Sequence, residues 1–418
     1  MWITSKSYEL SEMGNEAARS PYDQMFYLAV MSSAFVVASS RGVKWNRIVS
    51  ANSAIMVLYV YFLLSVCWSG DPTGSLKRIV KDFGLLFVVA IIRSEKNPLQ
   101  AIGAVYVRCA SVLFPLSVVF FKYFPQYSRS YSLDGEIMQT GVSTTKNSLG
   151  ELIMVVMSLL VWDYMQMQRQ ETKGVRRKVS WDHLILLLIG CWLLYISKSK
   201  TALVCTCICV LLTVKKEWFA SKRVKQAALA VALSLPVFLF SSQEFTSLIS
   251  PLLEALGRDA TFTGRTNIWQ HITSTTVNPL FGAGYWNFWG GPSGYAISKA
   301  MNTTIPNGHC GYLDIYLDGG VVGLVILFAV LVSNGHKLVN SVRNGRDVTR
   351  NVAVNLPFLI SVITYNLTES SFARMSILWF TTLLMIVEFP PDAFPRRGSS
   401  YRHESTTWKP DTLTAVSQ

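Results

Sequence analysis

Long apolar stretches, separated by short polar segments, dominate the pattern of this sequence. No Asp, Glu, Lys or Arg falls between Arg47 and Asp71, and none falls between Arg350 and Glu369. A helix needs about 20 mostly apolar residues to cross a bilayer. The pattern therefore predicts an all-α, polytopic membrane protein. Its predicted transmembrane helices, about eleven in number, cover residues 24–40, 48–67, 77–93, 99–121, 147–166, 183–197, 201–214, 225–241, 317–333, 352–366 and 374–389.

The composition supports a membrane protein. Charged residues make up 15% of the chain and hydrophobic residues 50%, whereas a soluble domain carries about 25% charged residues. The net charge of +13 would favour nucleic-acid binding in a soluble protein. Basic cytoplasmic loops explain this charge better, and no nucleic-acid motif is present, so nucleic acid is not an expected partner.

Basic residues concentrate in alternate loops, which predicts an orientation. Cytoplasmic loops carry the excess of Lys and Arg in membrane proteins. The basic loops here cover residues 41–47, 93–96, 169–178, 215–225 and 337–350. Eleven alternating spans place all of them on one side, together with the basic tail. The chain is therefore expected to be a multi-pass membrane protein with its N-terminus outside and its C-terminus in the cytoplasm.

The same count divides the chain into five parts. Residues 1–20 lack the apolar core and cleavage site of a signal peptide, and the count of spans places this N-terminus outside the cytoplasm. The predicted parts are this N-terminus (1–23), spans 1–8 (24–241), a long extracytoplasmic loop (242–316), spans 9–11 (317–389) and a disordered cytoplasmic tail (390–418).

The long loop is rich in polar, aromatic and glycine residues. Arg265 opens a predicted short amphipathic helix, whose apolar side carries Ile268, Trp269 and Ile272. The following segment, 278–307, contains several aromatic residues, at Tyr285, Trp286, Phe288 and Trp289. These side chains either line a sugar-binding groove or lie in the membrane interface, and composition favours the interface.

Several cations fall on the predicted outer face, mostly at helix ends. They are Lys77, Arg78, Lys81, Lys146, Lys198, Lys200, Arg258, Arg265 and Arg374. Together they predict a site for phosphate or diphosphate, because Arg presents a planar fork that matches phosphate oxygens. Fixed cations can also stabilise a diphosphate leaving group, so neither a metal nor a cofactor is expected. Each cation taken alone could instead anchor its helix end in lipid headgroups.

His309 is the best candidate for a general base, because its ordinary pKa suits proton transfer near neutral pH. It lies where the polar loop returns to an apolar stretch. A capping or interfacial role is the alternative. His271 is a second candidate, but its position on the amphipathic helix favours a surface role. His183 and His336 fall on the predicted cytoplasmic side and are expected to be structural.

Six motifs, in order, resemble those of the O-antigen ligase and polysaccharide polymerase family of bacterial membrane proteins. They are Trp68-Ser69-x-Asp71-Pro72 with Ser75-Leu76-Lys77-Arg78, Thr145-Lys146-Asn147-Ser148-Leu149-Gly150, Ser199-Lys200-Thr201-Ala202-Leu203, Gly264-Arg265-Thr266 with Trp269, Pro279-Leu280-Phe281-Gly282 with Gly284, and His309-x-Gly311-Tyr312-Leu313-Asp314 with Gly319 and Gly323. The first motif inclines the resemblance towards the exopolysaccharide polymerases.

The resemblance implies a membrane glycosyltransferase with an extracytoplasmic active site and a glycan donor linked to undecaprenyl diphosphate. It assigns the essential histidine to His309 and the loop arginine to Arg265. Lys200 stands where the family has an arginine, so the charge is kept but the bidentate fork is lost. The residues expected to bind the donor diphosphate are Arg78, Lys77, Lys146, Lys200 and Arg258. Those expected to bind substrate are Trp269, Tyr312 and Asp314.

The function expected from this resemblance is a polymerase that joins lipid-linked repeat units by metal-independent, inverting transfer. One alternative is a ligase that moves finished polymer to lipid A core. A different class, a transporter or flippase of lipid-linked glycans, should show repeats or charges at mid-membrane; only Arg108 lies well inside a span. Expected partners are the donor, a glycan acceptor, the bilayer, and chain-length-regulating, flippase or export proteins.

Overall fold

The structure, a computed structural model, describes residues 21–131, 137–171, 181–215, 221–241, 265–340 and 353–394. These residues are mostly helical. The helices are α1 (Pro21–Ser40), α2 (Trp45–Ala51), α3 (Ser53–Leu64), α4 (Pro72–Arg93), α5 (Pro98–Tyr123), α6 (Lys146–Glu171), α7 (Trp181–Ile196), α8 (Lys200–Val214), α9 (Lys222–Ser241), α10 (Arg265–Thr273), α11 (Pro292–Ala300), α12 (Gly311–Asn340), α13 (Asn355–Tyr365) and α14 (Ile377–Ile386).

Short elements connect these helices. Single helical turns lie at Ser65–Trp68, Pro125–Ser128, Asn287–Gly290 and Pro391–Ala393. Between α5 and α6, strands β1 (Arg129–Tyr131) and β2 (Ile137–Gln139) pair antiparallel, with Ser130 opposite Met138. This small hairpin lies in a segment that the charge pattern predicts to be extracytoplasmic.

Each predicted span overlaps a helix, and the mostly helical membrane fold is confirmed. By length and composition, three helical stretches can cross a membrane among the described residues: α5, Lys146–Gln168 of α6, and α12. A fourth is possible if Gln24–Ser40 and Trp45–Ala51, bent by 104°, form one span. The other helices that overlap predicted spans are shorter or carry more charge, so the count of eleven spans and the limits of the long loop stay predictions.

The segments predicted to be cytoplasmic contact one another at one end of the helices. Arg41 Nη2 lies 2.7 Å from Glu95 Oε1, which joins the end of α1 to the end of α4. Lys337 Nζ, near the end of α12, lies 3.6 Å from Glu388 Oε2 beyond α14. The Lys337 ammonium also donates to the Ala51 carbonyl oxygen at 2.6 Å.

The segments predicted to be extracytoplasmic meet one another as well. The Ser75 hydroxyl, in the first turn of α4, donates to the Tyr285 carbonyl oxygen at 2.7 Å. The hydroxyl oxygens of Thr201 and Thr368 lie 2.7 Å apart, which joins the start of α8 to the turn after α13. Loops far apart in sequence thus contact one another at this end.

Helix α6 is the centre of the bundle. Residues 149–160 are all buried, as expected of a helix that is apolar around its circumference. Glu151 is the one charged residue of this buried stretch. Its Oε1 accepts a hydrogen bond at 3.1 Å from the Leu378 amide in the first turn of α14. The carboxylate therefore satisfies a helix N-terminal amide that has no partner within its own helix.

Helix α12 is broken at Gly320, where φ is 61° and ψ is −162°. The break leaves backbone groups of α12 without partners in the helix, and the segment 279–284 forms hydrogen bonds with them. The Val321 amide donates to the Pro279 carbonyl oxygen at 2.9 Å, and the Ala283 amide donates to the Leu317 carbonyl oxygen at 2.8 Å. This exchange fixes one of the glycine-rich motifs of the long loop against the outer half of α12.

The first outer motif begins α4 with a side-chain cap. The Asp71 Oδ1 atom accepts a hydrogen bond at 3.0 Å from the Gly74 amide, and Pro72 occupies the first helical position. Proline suits that position because its missing N–H would have no helical partner. The Asp71 amide in turn donates to Asn287 Oδ1 at 3.0 Å, so the cap also joins α4 to the long loop.

Replacing Asp71 with Ala is expected to destabilise the protein by about 1 kcal/mol, the usual cost of losing an N-cap side chain. The midpoint of thermal unfolding in detergent should fall. Asp71→Asn is the matched control, because asparagine caps nearly as well as aspartate. Equal midpoints for wild type and Asp71→Ala would contradict the capping role.

Candidate active site

The two residues predicted to be catalytic meet at a shared carboxylate. Arg265 is the first residue of α10, His309 lies two residues before α12, and Glu369 lies in the turn after α13. Arg265 Nη2 lies 2.5 Å from Glu369 Oε1, and His309 Nδ1 lies 3.3 Å from Glu369 Oε2. These three residues form what we call the carboxylate bridge.

Exposure differs within the carboxylate bridge. The side chains of Arg265 and Glu369 are each 7% exposed, whereas that of His309 is 26% exposed. A substrate therefore reaches the imidazole most easily. Arg265 Nη1 is buried and has no hydrogen-bond partner among the described residues. A buried guanidinium nitrogen of this kind is costly to leave unsatisfied, so the site favours a ligand with acceptor oxygens.

A tight turn presents His309. Its φ of 49° lies in the left-handed region, which residues other than glycine rarely adopt. The His309 amide donates to Asn307 Oδ1 at 3.0 Å, and the Gly308 amide donates to Asp314 Oδ1 at 2.9 Å. Trp269 Nε1 donates to the Gly308 carbonyl oxygen at 2.9 Å. Backbone contacts, rather than the imidazole, thus hold the turn.

Gly311 connects this turn to the one that carries Glu369. Its amide donates to the carbonyl oxygens of Asn366 and Glu369, each at 2.9 Å. A Cβ atom at position 311 would lie only 2.1 Å from Asn366 Oδ1. Glycine is therefore required here for the two turns to approach closely enough for Glu369 to reach His309.

The three residues predicted to bind substrate surround this turn. Trp269 is half-buried, Tyr312 is 3% exposed and Asp314 is 1% exposed. The Tyr312 hydroxyl donates to the Ile363 carbonyl oxygen at 3.0 Å. Asp314 also accepts hydrogen bonds from Trp289 Nε1 at 2.8 Å and from the Ser370 hydroxyl in the α13–α14 turn. Their buried contacts fit support of the His309 turn, and substrate binding by them stays a prediction.

A second cluster of cations lies beside Asp314. Arg78 and Arg374 lie against Trp286, with guanidinium carbons 5.3 and 4.2 Å from the centre of its ring. We call this group the arginine–tryptophan stack. Arg374 Nη2 lies 3.2 Å from Asp318 Oδ2 and 3.6 Å from Asp314 Oδ2. Asp314 therefore connects Arg374, and through the stack Arg78, to the His309 turn.

The aromatic residues of the long loop are largely buried. Most of their surface therefore neither lines a sugar-binding groove nor lies in the membrane interface. Tyr285, Phe288 and Trp289 are at most 7% exposed. The Tyr285 hydroxyl lies within hydrogen-bonding distance of Asp82 Oδ2 and of the Ala373 carbonyl oxygen. Burial, and then the charge of Asp82, raise the pKa of Tyr285 well above its usual value, so this phenol remains a donor at neutral pH.

The remaining residues predicted to bind diphosphate are spread more widely. Lys146 and Lys200 are the first residues of α6 and α8. Their neighbours Asn147 and Thr201 contact the segment 365–368, just before Glu369. Lys77 is exposed on α4. Arg258 lies outside the described residues.

Sequence reasoning did not identify Glu369 as a site residue. The available signal was its position as the first charged residue after the long uncharged stretch that follows Arg350. Within the described ranges, no group of three or more His, Cys, Asp or Glu side chains is arranged to hold a metal ion. Metal independence itself stays a prediction.

These features define a helical membrane protein with a polar, cation-rich site where helix ends meet. Residues 183–328 match the family model described as O-antigen ligase. That stretch contains four of the six motifs, including those of Arg265 and His309. The chain is also 32% identical, over 90 residues, to the exopolysaccharide production protein ExoQ of Rhizobium meliloti (strain 1021), and the match covers 20% of each chain. The predicted resemblance to the O-antigen ligase and polysaccharide polymerase family is confirmed.

Proposed function

We propose that this chain is a glycosyltransferase that joins oligosaccharide repeat units into exopolysaccharide or O-antigen. The units are carried on undecaprenyl diphosphate at the outer face of the inner membrane. The observation that carries the proposal is the carboxylate bridge, in which Glu369 lies within 3.3 Å of both Arg265 and His309. His309 is a partly exposed base that suits an acceptor hydroxyl. Arg265 is a buried cation whose Nη1 has no partner among the residues that the structure describes, and it suits a diphosphate.

The reaction is a single inverting displacement. An acceptor hydroxyl oxygen attacks the anomeric carbon of the donor sugar, while the bond from that carbon to the diphosphate oxygen breaks. His309 takes the hydroxyl proton, and lipid diphosphate leaves with the bonding electron pair. A positioned base typically contributes about 10²–10⁴-fold to such a step. Arg265, Lys200 and Arg78 stabilise the negative charge that grows on the diphosphate, so no metal ion is required.

The polymerase is favoured over the ligase by the relative whose name refers to exopolysaccharide production. The ligase remains the second candidate because the family model is described as O-antigen ligase. Both reactions use the same donor and leaving group. They differ in the acceptor, which is another lipid-linked glycan for a polymerase and lipid A core for a ligase.

The test is to incubate purified protein with undecaprenyl-diphosphate-linked repeat units and a metal chelator, and to resolve the products by size. A ladder of longer lipid-linked glycans is the expected result. A parallel reaction with lipid A core identifies a ligase through decorated lipid A. Absence of both products, with movement of labelled donor across liposomes, would instead support a flippase. Activity only after addition of a divalent metal would contradict metal independence.

A further inference from the structure

The single charge of Glu369 serves two basic residues, and the two contacts are unequal. The contact to Arg265 is short, at 2.5 Å, and the contact to His309 is longer, at 3.3 Å. Hydrogen bonds between nitrogen and oxygen are usually 2.7–3.2 Å long. Glu369 therefore lies closer to Arg265 than to His309, with a different carboxylate oxygen facing each of them.

We propose that Glu369 is an internal counter-ion. Its carboxylate occupies the position on Arg265 that the donor diphosphate takes, and it moves to His309 when the donor binds. This role makes Glu369 a positioning residue that couples donor binding to activation of the base. The inference rests on the proposed function, since it assumes that Arg265 binds the diphosphate and that His309 takes a proton.

The unsatisfied nitrogen of Arg265 provides the entry point for this exchange. Nη2 is occupied by Glu369, while Nη1 is buried and has no hydrogen-bond partner within the described part of the chain. A diphosphate oxygen can bind Nη1 first and then compete for Nη2, because Arg binds phosphate oxygens through both nitrogens of its fork. The incoming anion also repels the Glu369 carboxylate, which weakens the bond between Glu369 and Arg265.

The consequence for His309 follows from charge balance. During transfer the acceptor O–H bond breaks and His309 gains the proton, so a positive charge develops on the imidazole. Glu369, released from Arg265, can then move closer than 3.3 Å and stabilise that charge. Without a donor, the carboxylate remains on Arg265 and the base is less well supported. The exchange thus ties proton removal to the presence of the leaving group.

The distinguishing experiment compares binding with turnover in Glu369→Gln, which keeps the shape of the side chain and removes its charge. Undecaprenyl diphosphate in detergent micelles is titrated into the purified full-length protein. Because Glu369 competes with the ligand, we expect the variant to bind about tenfold more tightly, within the usual range of coupling between two sites. Because His309 loses its counter-ion, kcat should fall by about 10²-fold, so KM and kcat both fall.

Glu388→Gln is the matched control, because Glu388 pairs with a cation at the other end of the helices. It should leave both binding and turnover near wild type. If Glu369→Gln does not purify as a monodisperse protein, Glu369→Asp replaces it. Aspartate is one methylene shorter, which weakens its contact with Arg265, so several-fold tighter binding is expected. Unchanged or weaker diphosphate binding in the variant that folds would overturn the exchange.

The two proposals fail separately. If the binding experiment overturns the exchange but the wild type transfers glycans, the proposed function still stands. Conversely, a wild type without transfer activity removes the proposed function. In that case tighter diphosphate binding by Glu369→Gln would still support the competition at Arg265.

Discussion

Replacing His309 with Ala is expected to reduce glycosyl transfer by about 10²–10⁴-fold, the usual contribution of a general base, and to abolish long polymer. The protein should still fold and enter the membrane, because backbone groups hold the His309 turn and the imidazole is 26% exposed. The measurement is the rate of transfer in the purified system, with polymer length resolved on a gel.

His271→Ala is the matched control for this prediction. His271 lies on α10, six residues after Arg265, and its ring takes part in none of the contacts of the carboxylate bridge. Its loss should leave the transfer rate within about twofold of wild type, since surface substitutions usually have small effects. Polymer of normal length from His309→Ala would remove His309 from the mechanism.

The bundle could largely be predicted from the sequence because apolar stretches are local signals. A run without charge becomes a helix wherever it lies in the chain, so every predicted span overlaps a helix. The glycine motif at 279–284 was visible as a motif, but its physical role was not. Only the structure shows that it takes up backbone groups freed at the break of α12.

The site was predicted only in part, because its contacts are not local. Arg265 and Glu369 are 104 residues apart, and His309 and Glu369 are 60 residues apart. No periodicity reports a pairing over such separations. The motifs supplied the two basic residues, but the acid between them follows an apolar span and carries no motif of its own. The position of Trp286 between Arg78 and Arg374 was hidden for the same reason.

Replacing Gly320 with Ala is expected to destabilise the fold by about 3 kcal/mol or more, because two independent costs add. The backbone conformation, φ 61° and ψ −162°, belongs to a region that is essentially restricted to glycine, and strain of this kind costs about 1–3 kcal/mol. A Cβ atom would also lie 2.2 Å from the Leu280 carbonyl carbon and oxygen. These are backbone atoms, so no rotamer change can relieve the overlap.

The change at Gly320 should also disturb the active site. Asp318 lies two residues before the break and pairs with Arg374 of the arginine–tryptophan stack, so movement of the break displaces a cation next to the His309 turn. Gly320→Ala should therefore lower both the midpoint of thermal unfolding in detergent and the rate of transfer by the protein that remains folded.

Gly323→Ala isolates the effect of the break, because it adds the same methyl group three residues later on α12. There the nearest heavy atoms, Ile315 O and Tyr61 Cε1, lie 3.4 Å from the added carbon, an ordinary contact. Alanine also favours a helix over glycine by up to about 1 kcal/mol, so this variant should match or exceed the wild-type midpoint. Equal midpoints for the two variants would show that the break at Gly320 is not required for stability.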